Sequence, residues 1–273
     1  MNKPYKFLIH FLCVSQSFLM TSYVHAKSQA IFPLKLSDSK RHLTDQANRP
    51  FLIKEISAWG LIQSLSEKDA SAFLDSIIKK GFNTVLTCII NNHRQMAGRP
   101  PYWQGVSPFN VQWDFSSPNP LYFDHVDRFL KIAHQKGVLV LAVPVYLGYR
   151  DDGSQGWWDE LKSKNNDTLK MKIYGAYLGS RYKNQSNIIW VAGGDQDATG
   201  DLYPYELNMI KGIKSKDTLH YWTSHFDSNL KTNWSTENLL YAHLMDIDGE
   251  YVWSETVLEE KGPQYKTELN QYL

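Results

Sequence analysis

The sequence has almost no cysteine, with Cys13 and Cys88 as its only two. Cys13 lies in an N-terminal segment that we expect to be removed, so the mature chain would keep Cys88 alone. A single cysteine excludes an internal disulfide in the monomer and a metal site of the C-x-x-C type. Cys88 stands in an apolar run, which favours a packing role over a chemical one.

An excess of charge of either sign is also lacking. The chain has 29 Lys and Arg residues against 28 Asp and Glu residues, a net charge of +1. This balance gives no electrostatic reason to expect nucleic acid or an anionic membrane as a partner.

Three common motifs are missing, and each absence removes a class of enzyme. Trp59-Gly60-Leu61 follows the first predicted strand without a G-x-G-x-x-G fingerprint, so no dinucleotide cofactor is expected. The two candidate ligands His93 and His225 have no H-E-x-x-H or similar cluster beside them, so no metal is expected either. The absence of G-x-S-x-G argues against a serine esterase of the α/β-hydrolase kind.

Residues 1–26 have the pattern of an export signal. Lys3 and Lys6 supply its positive start, the stretch 7–20 is largely apolar, and Val24-His25-Ala26 ends on a small residue. The apolar stretch is shorter than the 18 or so residues that a membrane span needs. We therefore expect a bacterial protein that is exported to the periplasm or beyond, with no membrane attachment after cleavage.

Apolar segments rich in Val, Ile and Leu alternate with segments of helical period. The predicted strands cover residues 51–58, 82–90, 138–146, 187–192, 219–224 and part of 239–247. Ser66 and Asp69 form a capping box for the first long helix, which Gly81 ends. Apolar strands separated by helices indicate an α/β protein with a parallel sheet, either an open doubly wound sheet or a closed (β/α) barrel of TIM type.

Aromatic residues are abundant, at 14 %, with 9 Trp and 16 Tyr. Their flat apolar faces and polar edges suit sugar rings, although the same side chains also fill protein cores. Two long loops, 91–120 and 148–167, exceed what a connection requires, and the second carries Trp157-Trp158. Loops of this length usually serve binding.

Asp195 is the strongest candidate for a catalytic residue. Gly193-Gly194-Asp195 follows the strand predicted at 187–192, and the glycines permit a sharp turn or the close approach of a ligand. A carboxyl group held there beside Trp190 could act as a general acid. The alternative is that Asp195 only caps the turn that follows.

Further polar and aromatic residues lie at the ends of predicted strands or in the loops that follow. In a barrel these loops form the active face, which favours the barrel over the open sheet. The predicted sugar-contacting residues are Trp59, Asn91, Asn92, His93, Tyr146, Tyr149, Trp157, Trp158, His225, Asp248 and Tyr251.

From about Phe32 to its end the chain resembles the apiosidase-like glycoside hydrolases, a TIM-barrel family. The resemblance is carried by Arg49-Pro50-Phe51, Ser57-Ala58-Trp59, Lys80-Gly81-Phe82-Asn83-Thr84, Ser117-Pro118-Asn119, Tyr122-Phe123-Asp124, Tyr146-Leu147-Gly148-Tyr149, Gly156-Trp157-Trp158, Tyr177-Leu178-Gly179-Ser180-Arg181-Tyr182, Asn187-Ile188-Ile189-Trp190 and Gly193-Gly194-Asp195. It implies a glycoside hydrolase acting on plant or other polysaccharide-derived sugars, with Asp195 as the catalytic acid.

The chain departs from the family pattern in two places. Ile56 stands where many members have a likely sugar-contacting acid. The second catalytic carboxylate, a Glu after the seventh strand in the family, has no counterpart, so we expect residues 27–273 to form a C-terminally truncated barrel of about six of the eight βα units. The chain is then a glycosidase, a sugar-binding pseudoenzyme or an inactive fragment, with Asp246, Asp248 and Glu250 as the carboxylates that could replace the missing one.

Overall fold

The computed structural model describes residues 29–91, 103–148, 155–195, 198, 200–226 and 238–249. Its main element is a parallel sheet whose strands are hydrogen-bonded in the order in which they occur along the chain. The five strands are β4 (Glu55–Ser57), β5 (Thr84–Cys88), β6 (Leu139–Val143), β7 (Ile188–Gly193) and β8 (Trp222–His225). Sequential parallel strands joined through helices are the arrangement of successive units in a βα barrel, so the predicted fold class is confirmed.

Helices connect these strands and cover the outer face of the sheet. They are α1 (Leu61–Ser64), α2 (Glu67–Lys79), α3 (Pro120–Gln135), α4 (Trp158–Leu161), α5 (Thr168–Tyr182) and α6 (Tyr203–Lys214). The predicted cap of α2 is confirmed, because the Ser66 hydroxyl accepts the N–H of Asp69 at 3.0 Å. Asn119 caps α3 in the same manner just before Pro120. Within the described residues, no helix is long and apolar enough to cross a membrane.

A small antiparallel sheet precedes the parallel one and was not predicted. It consists of β1 (Lys35–Leu36), β2 (Leu43–Thr44) and β3 (Pro50–Phe51). Its apolar side chains Leu34 and Leu43 pack with Leu139 and Ile189 of the barrel interior. The single strand expected over 51–58 is therefore corrected to two separate strands, one in each sheet.

Both faces of the parallel sheet are apolar, as a barrel requires. Val85, Val140 and Trp190 face the helices, whereas Leu86, Cys88 and Val191 belong to the cluster on the opposite, interior face. Cys88 is fully buried there, in agreement with its expected packing role. Because both faces of the sheet are buried, these strands appear in the sequence as continuous apolar runs.

The strand expected within 239–247 is not present. In the described stretch 238–249 the chain instead forms a 3₁₀ turn at Ala242–Leu244, with Asn238 accepting backbone N–H groups of the following residues. These local hydrogen bonds replace the ladder that a strand would need. Asp246 and Ile247 reach the sheet with their backbone, where both N–H groups lie within hydrogen-bond distance of the Trp222 carbonyl at the amino end of β8.

Helices α5 and α6 are in unusually close contact because three glycines lie between them. A Cβ at Gly175 would lie 2.1 Å from the Met209 carbonyl oxygen, and one at Gly212 would lie 2.3 Å from that of Lys172. A Cβ at Gly179 would lie 2.5 Å from the Ile213 oxygen. Backbone atoms cannot move away as a flexible side chain can, so glycine is required at each position.

We expect Gly175→Ala to lower the free energy of unfolding by about 3 kcal/mol, because overpacking outweighs the better helix propensity of alanine, about 1 kcal/mol. Urea denaturation of the purified chain measures this. The control is Ser180→Ala on the exposed side of the same helix, for which a change close to zero is expected. A Gly175→Ala variant as stable as the control would contradict the close packing of α5 and α6.

Candidate active site

The candidate site is built on a strained turn at the carboxyl end of β7. Gly193, Gly194 and Asp195 have φ values of 84°, 107° and 61°, all in the left-handed region. A Cβ at Gly194 would lie 2.4 Å from the Tyr146 ring, so only glycine lets Tyr146 lie against this turn. Aspartate tolerates the left-handed conformation better than most residues. The turn directs Asp195 toward the ends of the neighbouring strands.

Asp195 is held by one residue from each neighbouring strand. Its Oδ2 accepts the Tyr146 hydroxyl at 2.5 Å, and its backbone N–H donates to Nδ1 of His225 at 3.2 Å. The carboxylate oxygen Oδ1 lies 3.5 Å from the same nitrogen, and the Asp195 side chain is 17 % exposed. The carboxyl group is thus fixed in orientation but still reaches the surface, as a group that acts on a ligand must.

His225 is uncharged in this arrangement. Because its Nδ1 accepts the Asp195 N–H, the ring proton lies on Nε2. Burial lowers the pKa of His225, although the Asp195 carboxylate acts in the opposite direction. In the neutral ring Nε2–H is the hydrogen-bond donor and Nδ1 the acceptor.

Trp59 completes the cluster from the end of β4. Its ring centroid lies 5.0 Å from that of Tyr146 and 5.2 Å from that of His225. Four residues from the ends of four strands, Trp59, Tyr146, Asp195 and His225, therefore lie together as the strand-end argument predicted. An aromatic wall beside a carboxyl group can stack a sugar ring while the acid reaches its ring or leaving-group oxygens. Their roles in binding and catalysis stay predictions.

Asn91 lies just beyond the end of β5 and has a buried side-chain amide. Its side chain is 1 % exposed, and among the described residues neither its amide nitrogen nor its oxygen has a hydrogen-bond partner. Burying an amide without partners costs about 1 to 3 kcal/mol, and such a cost is retained where a group serves a ligand. The geometry is compatible with the predicted contact to a sugar hydroxyl.

We expect Asn91→Leu to raise the free energy of unfolding by about 1 kcal/mol, because it removes an unpaired amide while keeping the side-chain volume. The same change should weaken sugar binding if the amide contacts a hydroxyl. Urea denaturation and calorimetric titration measure the two effects on one sample. A destabilised variant would show that Asn91 has a polar partner in the folded protein.

Trp157 does not lie in this cluster, which corrects its assignment as a sugar-contacting residue. Its side chain is 0 % exposed, and its ring packs edge-to-face against Trp113 and Phe115. Both ring faces are covered by protein, so none is available to a sugar. Its neighbour Trp158 is half-buried at the start of α4, and its binding role stays a prediction.

Asp246, the first of the three late carboxylates, also lies elsewhere. Oδ2 of Asp246 accepts the Trp222 N–H at 2.9 Å, at the end of β8 opposite to His225. Asp246 therefore does not serve as a second carboxylate of this site. Among the described residues no contact joins Asp248 to Asp195. Five further candidates lie outside the described residues: Asn92, His93, Tyr149, Glu250 and Tyr251.

Ile56 does not occupy a position that faces the interior. It pairs in register with Val85 and packs toward the helices, while Glu55 and Ser57 alternate to the other face. Ser57 donates to Glu55 Oε1 at 2.9 Å, and burial raises the pKa of Glu55 despite this hydrogen bond. The interpretation of Ile56 as a lost sugar contact is therefore wrong.

The described residues contain no group of three or more His, Cys, Asp or Glu side chains that could hold a metal ion. The titratable groups at the candidate site are Asp195, Tyr146 and His225, which form a chain of contacts through Asp195. This arrangement is suited to proton transfer and hydrogen bonding.

Comparison with known families identifies the chain. The profile of the family described as "Apiosidase-like, catalytic domain" matches residues 37–260, so the chain belongs to that family. A comparison with curated proteins finds no match.

The solved structures that the chain resembles are glycoside hydrolases. A protein titled "Glycoside hydrolase" has a TM-score of 0.64 at 23 % identity over 81 % of this chain and 47 % of its own. A family 5 glycoside hydrolase from Bacteroides vulgatus gives 0.64 at 22 % identity over 81 % and 45 % of the two chains. An endo-1,4-beta-mannanase from Rhizomucor miehei gives 0.51 at 13 % identity over 78 % and 64 %. The chain thus spans about half the length of the first two, and the likeness establishes the barrel fold.

Proposed function

We propose that this chain provides the general acid of a glycoside hydrolase site, and that Asp195 is this acid. Trp59, Tyr146 and His225 would surround the bound sugar. The observation that carries the proposal is the position of Asp195, whose carboxylate is fixed by Tyr146 at 2.5 Å beside an aromatic wall. Membership of the apiosidase-like family supports the reaction class. We further propose export from a bacterial cell and substrates derived from plant polysaccharides.

In the proposed reaction, Asp195 gives its proton to the oxygen of the departing sugar as the glycosidic bond breaks. The Tyr146 hydroxyl fixes the orientation of the Asp195 carboxyl group. After the proton has been transferred, the same hydroxyl donates a hydrogen bond to the Asp195 carboxylate. Trp59 offers a face for stacking, and Nε2–H of His225 can donate to a sugar hydroxyl. Each of these residues lies at the end of a strand, where a rigid scaffold holds it.

Hydrolysis also needs a second carboxylate, which attacks the anomeric carbon or activates water at about 5 to 10 Å from the acid. Asp246 is engaged at the far end of β8 and does not meet this requirement. This observation favours a second candidate function, in which the cleft binds sugar without cleaving it. The two functions share the site and differ in turnover.

One experiment separates them. The purified chain is incubated with plant pectic oligosaccharides and a panel of aryl glycosides, and released sugar is measured by chromatography while calorimetry measures binding. Turnover supports the hydrolase, and binding without turnover supports the sugar-binding function. If neither is detected with any member of the panel, both proposals for the isolated chain are rejected.

A further inference from the structure

We infer that Glu206 is a positioning residue for Asp195, acting from behind the site through the turn that carries it. Glu206 lies on α6 and is only 2 % exposed. Its Oε1 accepts the backbone N–H of Gly193 at 2.7 Å, two residues before Asp195. A carboxylate holds an N–H more strongly than a neutral acceptor does, so this contact fixes the point at which β7 turns.

The second oxygen of Glu206 extends the support to the other side of Asp195. Its Oε2 is hydrogen-bonded to the Tyr241 hydroxyl. That hydroxyl also lies 3.0 Å from the carbonyl oxygen of Ala198, three residues after Asp195. Because the hydroxyl has a single proton, which the Glu206 carboxylate accepts, Glu206 holds the chain directly at Gly193, and Tyr241 lies against the chain on the other side of Asp195 at Ala198.

Tyr241 also connects this support to His225. Its ring is fully buried, and its centroid lies 4.8 Å from that of Phe226, the residue after His225. Movement of Tyr241 would disturb Phe226 and with it the position of His225. One buried carboxylate is thus linked to both members of the Asp195–His225 contact without touching either side chain.

The sequence contains a signal for this role. Glu206 shares a helix face with Met209, Ile210 and Ile213, all of which are buried. A carboxylate in such an apolar stripe lowers the free energy of unfolding unless strong hydrogen bonds compensate for the burial of its charge. The compensation here is supplied by the Gly193 N–H and the Tyr241 hydroxyl.

The test compares Glu206→Ala with two further changes in the full chain. Glu206→Gln keeps an oxygen for the Gly193 N–H and should preserve the turn. Asp217→Asn is the matched control, because Asp217 is also buried and anchors the same strand at Trp190, whose Nε1–H it accepts at 2.8 Å. Both Glu206→Ala and Asp217→Asn should lower the melting temperature, so stability alone does not separate them.

Two local measurements do separate them. Hydrogen exchange at residues 193–195 should accelerate by at least about tenfold in Glu206→Ala, which corresponds to one charge-assisted hydrogen bond, and stay near the wild-type rate in Asp217→Asn and Glu206→Gln. The nitrogen NMR signal of His225 Nδ1 should move toward that of a ring nitrogen without a hydrogen bond in Glu206→Ala only. Asp195 and Tyr146 are the titratable groups near His225 in the described residues, and neither is altered.

Wild-type exchange and an unchanged His225 signal in Glu206→Ala would overturn the inference. Equal acceleration of hydrogen exchange throughout β7 in both Glu206→Ala and Asp217→Asn would also overturn it, because Glu206 would then only stabilise the fold. If Glu206→Ala does not fold, Tyr241→Phe is measured instead. We expect the same changes in hydrogen exchange and in the His225 signal at smaller amplitude, and their absence would contradict the inference. The catalytic consequence rests on the proposed function, but these readouts need no turnover, so the two ideas fail separately.

Discussion

Asp195→Asn is expected to lower the rate of hydrolysis of unactivated glycosides by about 10² or more, the usual contribution of a general acid. Asparagine keeps the size of the side chain and can still contact Tyr146, so sugar binding should change little. The loss therefore falls on kcat rather than on KM. The measurement is steady-state kinetics on any substrate that the wild-type chain cleaves.

The leaving group distinguishes an acid from a residue that merely contacts the sugar. A dinitrophenolate departs without a proton, whereas a sugar alkoxide does not, so the loss should shrink for dinitrophenyl glycosides. A control is Asp201→Asn, an exposed carboxylate six residues further along the chain, which should behave as wild type. Equal loss on all substrates would remove Asp195 as the acid, and activity within a few-fold of wild type would remove it from catalysis.

The sequence predicts the parallel strands well, because strands buried on both faces appear as continuous apolar runs. It predicts the cap of α2 for a similar reason: Ser66 and Asp69 act within one turn, so the contact needs no knowledge of the rest of the chain. The small sheet β1–β3 is missed because strands of two residues show no period. The run 239–247 is misleading, since Leu239 and Leu240 precede a 3₁₀ turn and Leu244 lies within it, so that these residues form no strand beside β8.

The candidate site is predictable where topology alone places the residues. Parallel strands end at one edge, so Trp59, Tyr146, Asp195 and His225 had to be neighbours once the strands were identified. Asp246 was misplaced because it was expected near the end of a sixth strand, whereas a 3₁₀ turn precedes it and its carboxylate accepts the Trp222 N–H at the amino end of β8. The apolar helix face around Glu206 marks it as an unusual carboxylate, but its role was missed because its partners, a backbone N–H and a distant tyrosine, leave no motif.

Trp157→Ala is expected to lower the free energy of unfolding by about 3 to 5 kcal/mol, the cost of removing a large, fully buried aromatic side chain. The ring lies at the centre of an aromatic cluster, 5.4 Å from Phe115 and 5.7 Å from Phe109 between ring centroids. Truncation leaves a cavity that these rings cannot close without losing their edge-to-face contacts. Urea denaturation with an unchanged m-value measures the loss.

Trp157→Phe is the matched variant. It keeps an aromatic ring and removes the indole N–H, which is buried with no hydrogen-bond partner in the described part of the chain, so its loss of stability should be clearly smaller than that of Trp157→Ala. The backbone N–H of Trp157 donates to the Tyr146 carbonyl at 3.0 Å, which neither change removes, so the site should keep its shape while the protein is folded. Sugar affinity per folded molecule should therefore stay near the wild-type value in both variants. A Trp157→Ala variant with unchanged stability and weakened sugar binding would instead show that Trp157 stacks on the sugar, because removal of a stacking residue lowers affinity without disturbing the core.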